Sequence, residues 1–274
     1  MLGRTARQMI RSHRRSAPIK GIAVICEKYL RAWHNDAFFE FDRNGERFAI
    51  QCFAQWAGAR PLTIWDVGAH HGEWADAVHS AMPTARVTSF EILPPIAELL
   101  AARHRDADWL TIRNIGLSDA AGSVEVTWNK DHDTTNSITP RSSSKWFAGG
   151  DLQTITCPVS TIDQLIAEGA PPPDLLKVDV EGHDAFVLDG ANQLLGGDRA
   201  PRMIQFEYGD TWIPAGRLLY QTSAMLAACG YKIGRLYPHH VEFRDYSYAD
   251  ENFRMGNMIA TREPDLLALL SSPR

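Results

Sequence analysis

Asp66, Gly68 and Gly72 lie in the stretch IWDVGAHHGEW, where a short apolar run empties into two glycines with an acid just ahead of them. A strand that ends in a glycine turn and opens a helix lets backbone amides and a carboxylate close on a small molecule. A second acid, Glu91, closes the next apolar run, and a later run, LKVDVEGH, delivers Lys177, Asp179, Glu181 and His183 at its end. Such groups can accept ribose hydroxyls, neutralise a charged ligand or take a proton.

The spacing restricts the ligand. A dinucleotide turn reads G-x-G-x-x-G, whereas here D-x-G-x-x-x-G puts His70 at the middle glycine, which weakens the case for NAD. Asp66 would repel a pyrophosphate but suits S-adenosylmethionine, which carries a sulfonium cation and an amino-acid end and no phosphate. Glu91 then falls where a carboxylate accepts ribose hydroxyls. Alternation puts Lys177, Asp179 and Glu181 on one side if their strand runs that far. Charges on a buried strand are costly unless paired or functional. The purely structural alternative is an ion pair from Lys177 to Asp179 or Glu181, plus a helix N-cap.

The elements that must position these groups alternate along the chain. From residue 62 onward, β-rich runs at 62–67, 85–91, 110–115, 175–180, 203–208, 231–237 and 257–261 are separated by helical stretches. That is the pattern of a parallel sheet covered on both faces. EWADAVHSAM follows the glycine turn, PPIAELLAARH opens with prolines suited to a first turn, and GRLLYQTSAMLAACG ends on Gly230 as a C-cap. Thr161 and Gln164 are spaced for a capping box. Between the third and fourth runs, SVEVTW and QTITCPV read as a β-pair around the polar loop 129–150, a lid or a disordered segment. The expected fold is α/β, a doubly wound, mostly parallel seven-stranded sheet with a small β insertion.

The 274 residues, 45% of them hydrophobic, are enough for one sizeable core. The balance of 28 bases and 33 acids does not describe a protein built to coat nucleic acid, so no nucleic-acid partner is expected. The charge is uneven: residues 1–34 hold eight bases and one acid, so this segment is +7 and the remainder −12. Residues 1–40 therefore read as a basic arm and helix, and 41–274 as the folded domain. The arm reads as a solvated helix, with weak contact to an acidic membrane surface as the alternative. Its best apolar run, GIAVIC, is too short for a signal core. Cys26, Cys52, Cys157 and Cys229 form no CxxC pair, which argues against zinc and fits reduced thiols in a cytoplasmic protein. No run of about 18 apolar residues suggests a transmembrane segment.

In that order, IWDVGAHHGEWA, SFEILPP, NIGLSD, STIDQL, LKVDVEGHDAFVLDGA, IQFEYG and NFRMGNMIAT resemble the FkbM-type S-adenosylmethionine-dependent methyltransferases, across residues 41–261. The resemblance implies a class I, Rossmann-like methyltransferase fold and methyl transfer, usually to a hydroxyl of a sugar, glycolipid or polyketide. It implies that Asp66, Gly68, His70 and Gly72 embrace the methionine part of the cofactor. Glu91 would hold the ribose with Ile92 beside it, and Asn114 and Ile115 would lie near the adenine. His70 departs from the family's usual G-A-N-x-G, in which asparagine occupies its place.

Transfer to a hydroxyl needs the acceptor aligned with the methyl and a proton removed as the new bond forms. His183 is the first candidate base, having a suitable ordinary pKa. Asp179 is the second, as a base or as an orienter of His183. A third reading gathers Asp179, Glu181 and Glu207 around a magnesium-like divalent metal that acidifies the hydroxyl. Loops 131–138 and 207–217 offer polar groups and Trp212 for a small-molecule or glycan acceptor, whereas His239 and His240 read as an exposed loop pair. The oligomeric state is not legible. A methyltransferase-like binding protein without turnover, and less favourably an NAD-linked oxidoreductase, are the alternatives.

Overall fold

A computed structural model describes residues 3–129 and 152–272. Helices α1 (Arg4–Ser12), α2 (Ala17–Trp33) and α3 (Glu46–Ala57) lead into β1 (Thr63–Val67), α4 (Glu73–Ala81), β2 (Arg86–Phe90), α5 (Pro94–Arg103) and β3 (Leu110–Arg113). Then come β4 (Gly116–Leu117), β5 (Gly122–Asn129), β6 (Leu152–Ser160), α6 (Ile162–Ala167), β7 (Leu175–Val178), α7 (Asp184–Asp189) and α8 (Asn192–Gly196). The chain closes with β8 (Met203–Tyr208), α9 (Trp212–Ala215), α10 (Leu219–Ala228), β9 (Lys232–Tyr237), β10 (His240–Phe243), β11 (Gly256–Thr261) and α11 (Pro264–Ser271).

The main sheet runs β10-β9-β11-β8-β7-β1-β2-β3. Strands β3, β2, β1, β7 and β8 are parallel, and β11 inserts antiparallel between β8 and β9. This is a doubly wound sheet whose chain order reverses between β1 and β7. Ligands of such sheets bind at that switch point, outside the carboxyl ends of the strands. Alternation in β1 sends Ile64 to one core and Trp65 and Val67 to the other. One core packs α3, α4 and α11 against the sheet through Phe53, Trp74, Val78 and Leu270. The other packs α6, α7, α8 and α10 through Leu165, Leu188, Leu195 and Leu226.

The sheet has eight strands rather than the expected seven. The extra strand is β10, a hairpin return on β9 that pairs His240 with Tyr237. Its HVEF sequence is too short to signal a strand alone and depends on the open edge of β9. His240 is therefore not in a loop; its ring stacks on Tyr237 at 5.0 Å. The expected β-pair is present as β5 and β6, with β4 added parallel to β6. Val126 and Cys157 of that insertion pack on Leu93 and Ile96 at the start of α5. Residues 130–151, the expected lid or disordered loop, lie outside the described residues. Thr161 caps α6 by accepting from the Gln164 amide, but the Gln164 side chain turns to Glu168, so only half of the expected box forms.

Candidate functional site

The turn after β1 is built from backbone geometry that few residues tolerate. Gly68 has φ +83° and Gly72 φ +84°. A Cβ on Gly68 would overlap the carbonyl oxygen of Asp179, and one on Gly72 would sit 2.7 Å from Leu100 Cδ1. His70, at φ +47°, is also left-handed. Asparagine and histidine enter that region more readily than most residues. The exchange of asparagine for His70 thus preserves the turn. The amides of Gly68 and Ala69 donate to Phe90 O at 2.9 and 3.1 Å, tying the turn to the end of β2.

Glu91 completes the tie. Its carboxylate accepts the His70 amide at 3.0 Å and the Leu93 amide at 2.9 Å. Burial raises its pKa, and these two amide donors oppose the shift. Each oxygen keeps a lone pair for a further donor. The Asn114 side chain donates to the carbonyls of Glu91 and Ile92 at 2.8 and 3.1 Å, and Ile115 packs on the larger core. Asp66, Gly68, His70, Gly72, Glu91, Ile92 and Asn114 are thereby gathered around the ends of β1 and β2.

Beneath this rim lies a buried charge cluster centred on Lys177. Its ammonium sits 3.4 Å from Asp66 Oδ1 and 3.3 Å from Asp179 Oδ2. Burial alone would lower the Lys177 pKa, but Asp179, Asp66 and Glu46 together hold it above the ordinary lysine range. Burial raises the pKa of both Asp66 and Glu46. Glu46, at the start of α3, also accepts from Asn44 and from the Gln205 amide of β8, each at 2.7 Å. One cation therefore serves three carboxyls. Glu46 and Gln205 carry no sequence signal for this role: they meet Lys177 only through packing across the sheet.

The end of β7 differs from the sequence expectation. The strand stops at Val178, and Glu181 turns left-handed at φ +56°, so it does not share a strand face with Lys177 and Asp179. Gly182 lets this turn pass close to Thr211, and buried Asp184 accepts its amide at 3.1 Å. Asp179 keeps a side-chain exposure of 31% at the switch point. His183, by contrast, is only 7% exposed. Its Nε2 lies 2.8 Å from Ser118 Oγ, whose hydroxyl donates to Asp119 at 3.0 Å. Ser118 must then accept from Nε2–H, which leaves the lone pair on Nδ1. Nδ1 is buried with no hydrogen-bond partner among the described residues. Burial pushes the His183 pKa down to about 4, against the pull of Asp119 and with a further push from Arg217. The orienter of His183 is therefore the Ser118–Asp119 pair, not Asp179. Ser118 and Asp119 close the NIGLSD segment, whose Asn114 and Ile115 alone carried an expected role.

Two other expectations change. Trp212 is fully buried against Phe206 and Tyr208 and donates to Glu207 O at 3.0 Å, so its ring cannot stack on an acceptor. Among the described residues no three His, Cys, Asp or Glu side chains are grouped to hold a metal, so Asp179, Glu181 and Glu207 are not drawn into one cage. The acceptor loop 131–138 lies outside the described residues.

The family described as "Methyltransferase FkbM domain" matches residues 66–233, more than half of the chain, beginning at Asp66 itself. The chain belongs to the FkbM methyltransferase family. It is accordingly an S-adenosylmethionine-dependent methyltransferase of class I, Rossmann-like fold, and the order of its sheet agrees. No curated protein matches it in sequence. Among solved structures it is similar to a precorrin-6y C5,15-methyltransferase from Geobacter metallireducens, at 11% identity and TM-score 0.42, over 79% of this chain and 87% of that one. It is also similar to cofactor-bound Rv0187 from MTB, at 14% identity and TM-score 0.43, over 80% and 79%. A third is Aeropyrum pernix fibrillarin with natively bound S-adenosyl-L-methionine, at 13% identity and TM-score 0.39, over 73% and 66%. The strand order, rather than these scores, carries the fold of this FkbM methyltransferase.

Proposed function

We propose that this FkbM methyltransferase transfers a methyl group to a hydroxyl oxygen of a sugar, glycolipid, glycan or polyketide-type acceptor. The observation that carries the cofactor part is the Lys177 cluster, in which one buried cation faces Asp66, Asp179 and Glu46. A group of acids sharing one cation suits a cationic cofactor better than a pyrophosphate. S-adenosylmethionine, when bound, supplies an electrophilic methyl on a sulfonium. Asp66 and the turn from Gly68 to Gly72 border its methionine end, Glu91 accepts its ribose hydroxyls, and Ile92, Asn114 and Ile115 border its adenine.

Asp179 is the favoured proton acceptor. It is the reachable carboxylate at the switch point, and Lys177 holds it in place from beneath. A hydroxyl becomes strongly acidic only as its oxygen gains the methyl, so a weak base suffices if it is positioned for that moment. His183 is better suited to positioning. Both its ring nitrogens are enclosed, and it links the turn after β7 to Ser118 in the segment after β3.

The test is calorimetric titration with S-adenosylmethionine, S-adenosylhomocysteine and NAD, with and without magnesium, followed by a methyl-transfer screen on sugar and glycolipid acceptors. Saturable binding of the first two and product methylated on oxygen support the reading. Methylation at carbon or nitrogen, or full turnover in Asp179→Asn, would overturn its acceptor part.

A further inference from the structure

Helices α1 and α2 bury no residue. On α2 the large side chains Ile22, Ile25, Tyr29 and Trp33 fall on one face, three or four residues apart, and stand 57, 68, 61 and 63% exposed. Leu30 and Lys28 flank this face, whereas Lys20 and Arg31 project from the other, with the exposed Val24 beside them. On α1, Arg4, Arg7 and Arg11 share one face and the exposed Met9 and Ile10 lie away from them. So much apolar surface in water requires a cover.

The charge says which cover. Residues 1–34 carry +7 against −12 for the remainder. An apolar face with aromatic residues, backed by lysine and arginine and by little acid, is the pattern of a helix lying in the plane of an anionic lipid surface. A crossing is excluded for α2 itself, since no described helix is long and apolar enough to span a membrane. We infer that α1 and α2 dock this protein on an anionic bilayer, with the apolar face of α2 among the acyl chains and the bases at the headgroups.

The arm is joined to the catalytic edge. Arg235 of β9 donates to His34 O at 2.8 Å and to Met255 O at 2.9 Å, and the Ala37 amide donates to Met255 O at 3.0 Å. Met255 precedes β11, whose first residue pairs with Tyr208 at the carboxyl end of β8. That is the edge at which Asp66 and Asp179 lie. Docking therefore holds the junction beside this edge close to the bilayer, and it does not rest on the proposed O-methyl transfer.

The test is flotation of the full chain with vesicles of phosphatidylglycerol and phosphatidylcholine, compared with phosphatidylcholine alone. The expected result is at least about tenfold more protein on the anionic vesicles, weakened by salt. Ile22→Asp with Ile25→Asp, and separately Arg4, Arg7 and Arg11 all to Gln, should each reduce flotation by about tenfold or more. Cofactor binding by calorimetry should be unchanged in both, which separates failure of docking from failure of the methyltransferase site. Wild-type protein that does not float, or variants that float equally, overturns the inference. A dimer in sedimentation velocity that the Ile22→Asp, Ile25→Asp variant abolishes, without vesicle binding, assigns the face to a second copy instead and also overturns it.

Discussion

Replacing Lys177 with methionine removes the single cation from a cluster of three carboxyls while keeping most of the buried stem. At an effective dielectric of about 20, each contact, 3.4 Å to Asp66 and 3.3 Å to Asp179, is worth about 5 kcal/mol before desolvation. Desolvation of the ammonium offsets much of that, and deleting one partner of a buried pair costs about 3–5 kcal/mol net. Asp66 is fully buried, its pKa already raised by that burial against the opposing pull of Lys177, and without its cation it is driven further towards the protonated form. A raised folded-state pKa places the resulting instability at high pH: the variant regains stability as pH falls towards the unfolded value and loses it as pH rises. Urea unfolding of both proteins should therefore show a gap of about 3–5 kcal/mol at pH 7 that narrows on acidification. Calorimetry should show weakened S-adenosylmethionine binding, because a neutral Asp66 no longer faces its charge. A gap below about 1 kcal/mol at pH 7, or one independent of pH, would refute the shared-cation argument.

Other consequences can be measured with the same tools. His183 has its folded pKa depressed from 6.5 to about 4, so its contribution is fully present above pH 6.5 and is lost as pH falls through 4. The pH dependence of urea midpoints should be shallower in His183→Gln by about 3 kcal/mol over that window, and an equal dependence in both proteins would contradict the buried neutral ring. Gly68→Ala drives a Cβ into Asp179 O; a loss of about 2 kcal/mol or more in thermal denaturation is expected, with impaired cofactor binding by calorimetry. His70→Asn should leave both stability and affinity near wild type. His70→Val, forced to the same positive φ, should cost about 1–2 kcal/mol, and a neutral result would mean that the turn relaxes.

Much of the site could be read along the chain because local geometry demands particular residues. A strand entering a left-handed turn requires glycine, and Gly68 and Gly72 announce it. An acid at the end of the following strand announces Glu91. His70 looked like a departure, and its positive φ explains why asparagine and histidine can exchange there. The positions of β1, β2, β3, β7, β8, β9 and β11 follow from alternation and apolar runs, which are properties of neighbouring residues. The basic, amphipathic pattern of α1 and α2 is local in the same way.

Tertiary structure decided what depends on meetings between distant segments. The strand β10 exists because β9 offers it an edge. Glu46 and Gln205 reach Lys177 from α3 and β8, and no spacing along the chain encodes that meeting. Ser118 and His183 are 65 positions apart, and their contact belongs to a fold that buries the candidate base and depresses its pKa. Trp212 is a residue type suited to a sugar platform, yet packing beside Phe206 and Tyr208 leaves it fully buried. Residue types and turns were thus determined by the sequence, because short-range sterics and periodicity act within a few residues. Burial, and with it the charge state of Asp66, Lys177 and His183, was decided only by the folded structure, because desolvation depends on every segment that closes over a group.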